Sequence, residues 1–257
     1  MTKEKPVTVI QNIARALEIL SCFSINQPEL GISEIATQLG IYRSTVYRVL
    51  KTLEQYGYVI QNSQNQRYRL GFKFFDLGTV VISKLEVRDV ALPYMQRLCA
   101  ETRETIALNV ADNDERVCIE KVESPESIRN VIPIGYRNPI YFTAAGKALL
   151  AFYAEGDLER IISSKRLQES ALGKSIDVDS FRNELRLIAQ RGYALSHSEV
   201  SAGTSAVAAP IYNYEQHVIA SLSTHGPEHR FMDKGLEILI EKTVDTAREI
   251  SIRLGWK

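Results

Sequence analysis

Apolar positions recur at helical spacing three times in the first seventy residues, then switch to alternation. Ile10, Ile13, Ala14, Leu17 and Leu20 predict a helix over 8–23, and 24–32 reads as a loop. Ile35, Ala36 and Leu39 mark a short second helix that stops at Gly40. Val46, Val49, Leu50 and Leu53 fall on one stripe of a third, over about 43–55. Ser33 is placed to cap the second helix, with Glu34 against its positive end. After Gly57, residues 58–61 predict a strand, 62–66 a polar turn and 67–70 a return strand. That return strand puts Arg67 and Arg69 on one face, Tyr68 and Leu70 on the other.

Helical spacing returns over 73–86, where Leu77, Val80, Val81 and Leu85 make a stripe interrupted by Gly78. Pro93 is expected to break the helix that follows, so a separate one is predicted from about 92 to 102. From residue 105 the period drops to two. Strands are predicted at 105–110, 116–122 and 128–134, helices from Thr143, near 156–164 and at 178–191, then strands at 193–199, 204–213 and 216–224. A last helix covers 233–254. The order indicates an α+β chain with an antiparallel sheet in its larger part. The divisions expected are a winged helix-turn-helix domain over 1–71, a linker helix over 72–90 and a sheet domain over 91–257. An apolar linker helix beside such a domain suits a dimer contact, in preference to the alternative that it packs on its own C-terminal domain.

A helix, a short turn, a second helix and a basic hairpin together point to double-stranded DNA. Opposite the apolar stripe of the 43–55 helix lie Ser44, Arg48, Lys51 and Gln55, flanked by Thr45 and Tyr47, with Arg43 at the helix start. The candidate DNA surface is therefore Ser33, Arg43, Ser44, Thr45, Tyr47, Arg48, Lys51, Arg67 and Arg69. The 257-residue chain has no formal net charge, but residues 1–70 carry eight Lys/Arg against five Glu, a local excess of the sign that phosphates need.

Other chemistry is sparse. Three distant cysteines (Cys22, Cys99, Cys118) form no metal or redox pair, and no secretory leader or apolar span is evident, so a cytoplasmic protein is expected, with no membrane partner. His225 and His229 are four apart, but Gly226-Pro227 between them suits a strand-to-loop turn better than a metal pair. Asp177, Asp179 and Glu184 read as the cap and first turn of the 178–191 helix. No phosphate loop, dinucleotide fingerprint or nucleophile elbow is present, and no cofactor is expected. The alternative reading, an enzyme acting on a small organic acid, would not show ligand-dependent release of DNA. Thr143-Ala144-Ala145-Gly146 places small residues at a helix start. Such a start suits either a carboxylate on free N–H groups or tight packing of helix on sheet.

Over its whole length the chain resembles the IclR family of bacterial transcriptional regulators. The resemblance is carried most specifically by Gly192 to Glu199 (GYALSHSE) and Ala206 to Asn213 (AVAAPIYN), and also by Thr143 to Ala148 and Arg43 to Arg48. Tyr42 stands where many members carry proline. The resemblance implies a GAF-like effector-binding domain holding a small organic or aromatic acid. It also allows dimers that pair further into a tetramer; a homodimer that represses in preference to activating is expected. Carried over by position, the effector pocket would use Asn138, Ala144, Ala145, Ser196, Thr204, Ala206, Ser223 and His225.

Overall fold

The computed structural model describes residues 10–82, 86–163, 177–199, 202–233 and 235–257, in two compact units, Met1–Lys84 and Leu85–Lys257. In the first unit the three stripes become α1 (Gln11–Leu20), α2 (Ile32–Leu39) and α3 (Arg43–Gln55). The first helix is shorter than the predicted 8–23, and positions 8 and 9 lie outside the described residues. Ile19, Ile35, Val46 and Leu50 are wholly buried in one core, so the stripes of α2 and α3 pack as expected; on α1, however, Ile10, Ile13 and Leu17 of the expected stripe are exposed, and Ile19, outside that stripe, is the residue that enters the core. Gly40 ends α2 at φ 64°, a left-handed conformation that glycine adopts without strain, and α3 begins three residues later at Arg43.

Two details of this unit differ from expectation. Gly31, not Ser33, caps α2, because Glu34 reaches back and accepts the Gly31 N–H at 2.6 Å. Ser33 therefore lies inside the first turn, exposed. The expected loop 24–32 contains a short strand, β1 (Glu29–Leu30), which pairs with β3 (Tyr68–Leu70). With β2 (Val59–Gln61) they form an antiparallel sheet in the order β1-β3-β2. The expected wing is the β2–β3 hairpin, anchored by the fully buried Tyr68 ring. The unit ends in α4 (Lys73–Ile82), which carries exposed Phe72 and Phe75 at and just before its start and exposed Leu77 and Val80 along it. Of its expected stripe, Leu85 lies outside the described residues, as does the side chain of Val81.

In the second unit α5 runs unbroken from Glu86 to Thr102 with Pro93 inside it. The predicted break at Pro93 does not occur. A proline in a helix interior costs about 3 kcal/mol. Val87, Ala91, Met95 and Leu98 are buried along the same helix, and each fully buried large apolar side chain contributes about 1.5–3 kcal/mol. Packing outweighs the missing hydrogen bond.

Next come β4 (Thr105–Asp112), β5 (Glu115–Val122), β6 (Arg137–Pro139), α6 (Ala144–Leu150), α7 (Glu155–Ile162), α8 (Val178–Arg191), β7 (Ala194–His197), β8 (Thr204–Tyr212), β9 (Val218–Pro227), α9 (Glu228–Asp233) and α10 (Leu236–Arg253). The third strand is β6, not 128–134. Pro133 offers no N–H, and Gly135 at φ 82° turns the chain so that its N–H meets the Cys118 carbonyl at 2.7 Å. All pairs of the six-stranded sheet are antiparallel, in the order β6-β5-β4-β9-β8-β7.

Alternation along the strands divides the unit into two cores. Ile106, Leu108, Ala209, Ile211, Ala220 and Leu222 pack against α5 and α10. Ala206 and Ala208 pack on the opposite face, against α6, α7 and α8. Here α6 comes very close to the segment before it. A Cβ at Gly146 would lie 2.0 Å from the Ile140 carbonyl oxygen. Ala144, Ala145 and Ala148 are fully buried beside it, and Ser221 on β9 donates to the Ala145 carbonyl at 2.9 Å. Packing thus accounts for the glycine at 146. No helix among the described residues is long and apolar enough to cross a membrane.

Candidate nucleic-acid interface and ligand cavity

The exposed side of α3 is built as its stripe requires. Val46 and Leu50 point into the core, which turns Arg43, Ser44, Tyr47 and Arg48 outward, all exposed, with Thr45 half-buried. Tyr42 precedes them as the N-cap residue and is 84% exposed, so it adds an aromatic ring to the same end of the helix.

Two of the expected DNA-contacting cations are engaged inside the unit. The Lys51 ammonium donates to Glu54 (2.8 Å) and to Gln61 on β2 (3.1 Å), tying α3 to the hairpin. The Glu54 hydrogen bond raises the Lys51 pKa. Arg67 donates to the Glu29 carbonyl oxygen (2.9 Å) and to Glu34 (3.0 Å), tying the hairpin to β1 and α2. The Gly31 N–H first, and Arg67 after it, hold the Glu34 carboxyl below its usual range. Arg67 and Arg69 therefore divide their work. Arg69 is exposed and, like Arg43 and Arg48, has no carboxylate partner among the described residues.

In the second unit a cavity of about 250 Å³ opens beside the sheet. Its floor includes one cross-strand row: Ser196 on β7 pairs with Ala206 on β8, which pairs with His225 on β9. At the other edge Arg116 on β5 pairs with Asn138 on β6, and both line the cavity. Thr204 lines it as well. Five of the eight positions implied by family resemblance are thus brought together. Ala144, Ala145 and Ser223 are not on the wall formed by the described residues; the two alanines are buried in α6, and Ser223, buried on β9, bonds to the His225 that does line it.

Arg116 is the dominant charge of this wall, and the pattern of the sequence does not single it out. It is 3% exposed, yet among the described residues only neutral groups hold the guanidinium: Asn138 accepts from Nε at 3.0 Å and Asn109 from Nη1 at 2.8 Å. The Tyr136 ring lies 5.5 Å from the guanidinium carbon. Asn109 continues the chain by donating to Ser223 Oγ (3.0 Å), which meets His225 Nε2 at 2.8 Å. Burial first, and the charge of Arg116 second, push the His225 imidazole down to about 3. It is therefore neutral wherever the protein is folded near neutral pH. His229, its supposed neighbour, lies on α9, and no cluster of three or more His, Cys, Asp or Glu among the described residues is placed to hold a metal.

A second charge borders the cavity. Lys147, on α6, is buried between two carboxylates, Glu184 on α8 and Glu199 just past β7, each 2.7 Å from its Nζ. Glu184 is thus a partner of Lys147 and not part of a helix cap, although Asp177 does cap α8 by accepting from the Ser180 N–H at 2.9 Å. Burial raises the Glu199 pKa against the pull of Lys147, and its second oxygen, Oε2, has no hydrogen-bond partner.

Residues 12–63 match the IclR helix-turn-helix domain, and residues 79–252 match the C-terminal domain of the bacterial transcriptional regulator IclR. The chain belongs to the IclR family. The HTH-type transcriptional regulator KipR of Bacillus subtilis (strain 168) is 31% identical over 246 residues, 96% of this chain and 98% of its own. The HTH-type transcriptional repressor AllR of Escherichia coli (strain K12) is 31% identical over 247 residues, 96% of this chain and 91% of its own. Among solved structures, the Thermotoga maritima IclR matches with a TM-score of 0.77 and 29% identity, over 96% of this chain and 100% of that one. An IclR homolog from Microbacterium hydrocarbonoxydans, complexed with 4-hydroxybenzoate, matches with a TM-score of 0.83 and 26% identity, over 95% of this chain and 98% of that one. IclR-family members are transcriptional regulators, so the enzyme alternative loses its support.

Two measurements check the geometry. Arg48→Ala should weaken binding to a selected duplex and relax its sequence preference, by about 1–3 kcal/mol for a bidentate base contact. On the hairpin, Arg69→Ala should flatten the salt dependence by up to about 0.9 for each phosphate it no longer neutralises. Arg67→Ala should instead lower the stability of the first unit. An Arg69→Ala slope equal to the parent's would take the hairpin off the DNA.

The second concerns His225. In the unfolded chain it takes up a proton near pH 6.5, whereas in the folded protein it does so only near 3. Its contribution is fully present above pH 6.5 and falls by about 1.4 kcal/mol per pH unit below it. His225→Gln should remove that component, so urea denaturation at pH 7 and pH 5 should show a smaller loss for the variant than for the parent. Equal losses would mean that the imidazole is not held neutral.

Proposed function

We propose that this protein is a transcriptional regulator whose operator binding, through the exposed end of α3 and the β2–β3 hairpin, is controlled by a small organic or aromatic acid in the cavity of the second unit. It acts as a homodimer, with the exposed apolar residues of α4 as the contact, and represses in preference to activating. The observation that carries the reading is Arg116. A buried cation held only by neutral amides on a cavity wall lacks the counter-charge that buried charges ordinarily have. A carboxylate supplies it. The 4-hydroxybenzoate complex of the Microbacterium hydrocarbonoxydans homolog supports an acid as the ligand, and the repressor AllR supports the sign. Two copies of α3 related by a two-fold axis read two half-sites about 34 Å apart, or a multiple of that.

A thermal-shift screen of small organic acids, with 4-hydroxybenzoate among the first, tests the cavity. An acid present at 100 times its Kd should stabilise the parent by about 2.7 kcal/mol, and Arg116→Met should lose the response while remaining folded. A folded Arg116→Met that responds as the parent does would place the acid elsewhere.

A further inference from the structure

The cavity is charged at both ends, with opposite signs. On the β5–β6 side stands Arg116, uncompensated by any carboxylate among the described residues. On the β7 side stands Glu199, which shares the single charge of Lys147 with Glu184. One ammonium between two acid groups leaves Glu199 without a full counter-charge of its own. The sheet order β6-β5-β4-β9-β8-β7 puts the two groups at opposite edges of the sheet, and both line the same cavity. Unsatisfied polar atoms occur at both ends. Asn138 uses its Oδ1 on Arg116, which fixes its amide orientation and leaves Nδ2 without an acceptor. Glu199 uses Oε1 on Lys147 and leaves Oε2 without a donor.

Buried polar atoms without partners are rare in folded proteins and call for an explanation. Here a missing acceptor accompanies the cation, and a missing donor accompanies the carboxylate. Both atoms are shielded from solvent. The terminal torsions of Asn and Glu are soft, however, and both residues line the cavity, so a rotation about them can turn either group toward a ligand. The Glu199 side chain is 34% exposed, which leaves room for that rotation.

Building on the acid-binding reading above, we infer that the cavity selects a monocarboxylate carrying a hydrogen-bond donor, hydroxyl or ammonium, at its far end. The ligand carboxylate meets Arg116 and Asn138, and its distal donor meets Glu199. The same arrangement rejects a dicarboxylate, whose second charge would face Glu199. The volume of about 250 Å³ suits a small metabolite. Ser196 and Thr204 line the cavity and can serve intermediate polar groups.

The test is calorimetric and uses the full-length protein. Straight-chain acids of four to six carbons are compared in four forms: the plain acid, the ω-hydroxy acid, the ω-amino acid and the α,ω-diacid. At one chain length or more, the hydroxy or amino acid should bind about tenfold or more tightly than the plain acid, and the diacid should bind more weakly than the plain acid. Glu199→Gln should narrow the ratio between amino and plain acid and relieve the rejection of the diacid. Equal affinities for plain, substituted and diacid forms in the parent would overturn the two-ended recognition while leaving an acid site at Arg116 intact. Binding by Arg116→Met equal to the parent's would instead overturn the acid site itself. The parent panel is decisive even if Glu199→Gln fails to fold.

Discussion

The second unit is organised around a guanidinium that is out of water and has no carboxylate partner among the described residues. Burying an ionised group is costly unless hydrogen bonds and an opposite charge accompany it. Arg116 has the hydrogen bonds, to Asn138 and Asn109, but not the charge. Much of the surrounding structure follows from keeping it there. Asn109 is oriented by Arg116 and in turn orients Ser223, which engages His225. His225 stays neutral, so it adds no second cation to the wall. An anion entering the cavity would find one fixed positive charge and a set of dipoles already aligned with it.

The first unit resolves its charges differently. Lys51 and Arg67, both on the basic surface, are engaged in internal ties to Glu54, Gln61, Glu29 and Glu34. Those ties set the angle between hairpin and helix. Exposed ion pairs of this kind contribute little stability individually, so their value lies in fixing geometry. Arg43, Arg48 and Arg69 remain available for phosphates and bases. The basic surface is smaller than its residue count suggests, and better oriented.

Periodicity made the first unit legible. The stripes on α2 and α3, the glycine between them and the alternation about Tyr68 are local signals, and each describes one element. The cap of α2 was misplaced by two residues because Glu34 reaches Gly31, a side-chain choice that no pattern encodes. In the second unit the helices and most strands were equally readable, yet Pro93 and 128–134 were not. In α5 the burial of Val87, Ala91, Met95 and Leu98 overrides a local breaker, and at 128–134 a proline and a turning glycine defeat a β-like composition. The cavity itself was only half readable. Ser196, Ala206 and His225 form a single row because three strands pair in one register, which family resemblance anticipated position by position. Arg116 escaped notice because an arginine in a strand ordinarily faces solvent. Only the pairing with Asn138 and the proximity of Asn109 show that it turns inward. Ala144 and Ala145 are buried beside Gly146, whose missing Cβ lets α6 approach the Ile140 carbonyl.

The central claim is that acid in the cavity and DNA on α3 are coupled through one conformational equilibrium. Coupling of this kind is reciprocal: whatever factor the acid imposes on operator affinity, the operator must impose on acid affinity. The direct measurement is a calorimetric titration of a stabilising acid into the free protein and into its complex with a selected operator duplex. The account predicts two different dissociation constants, separated by the same factor by which the acid shifts operator binding, about 5- to 150-fold. Identical constants with and without operator would contradict it.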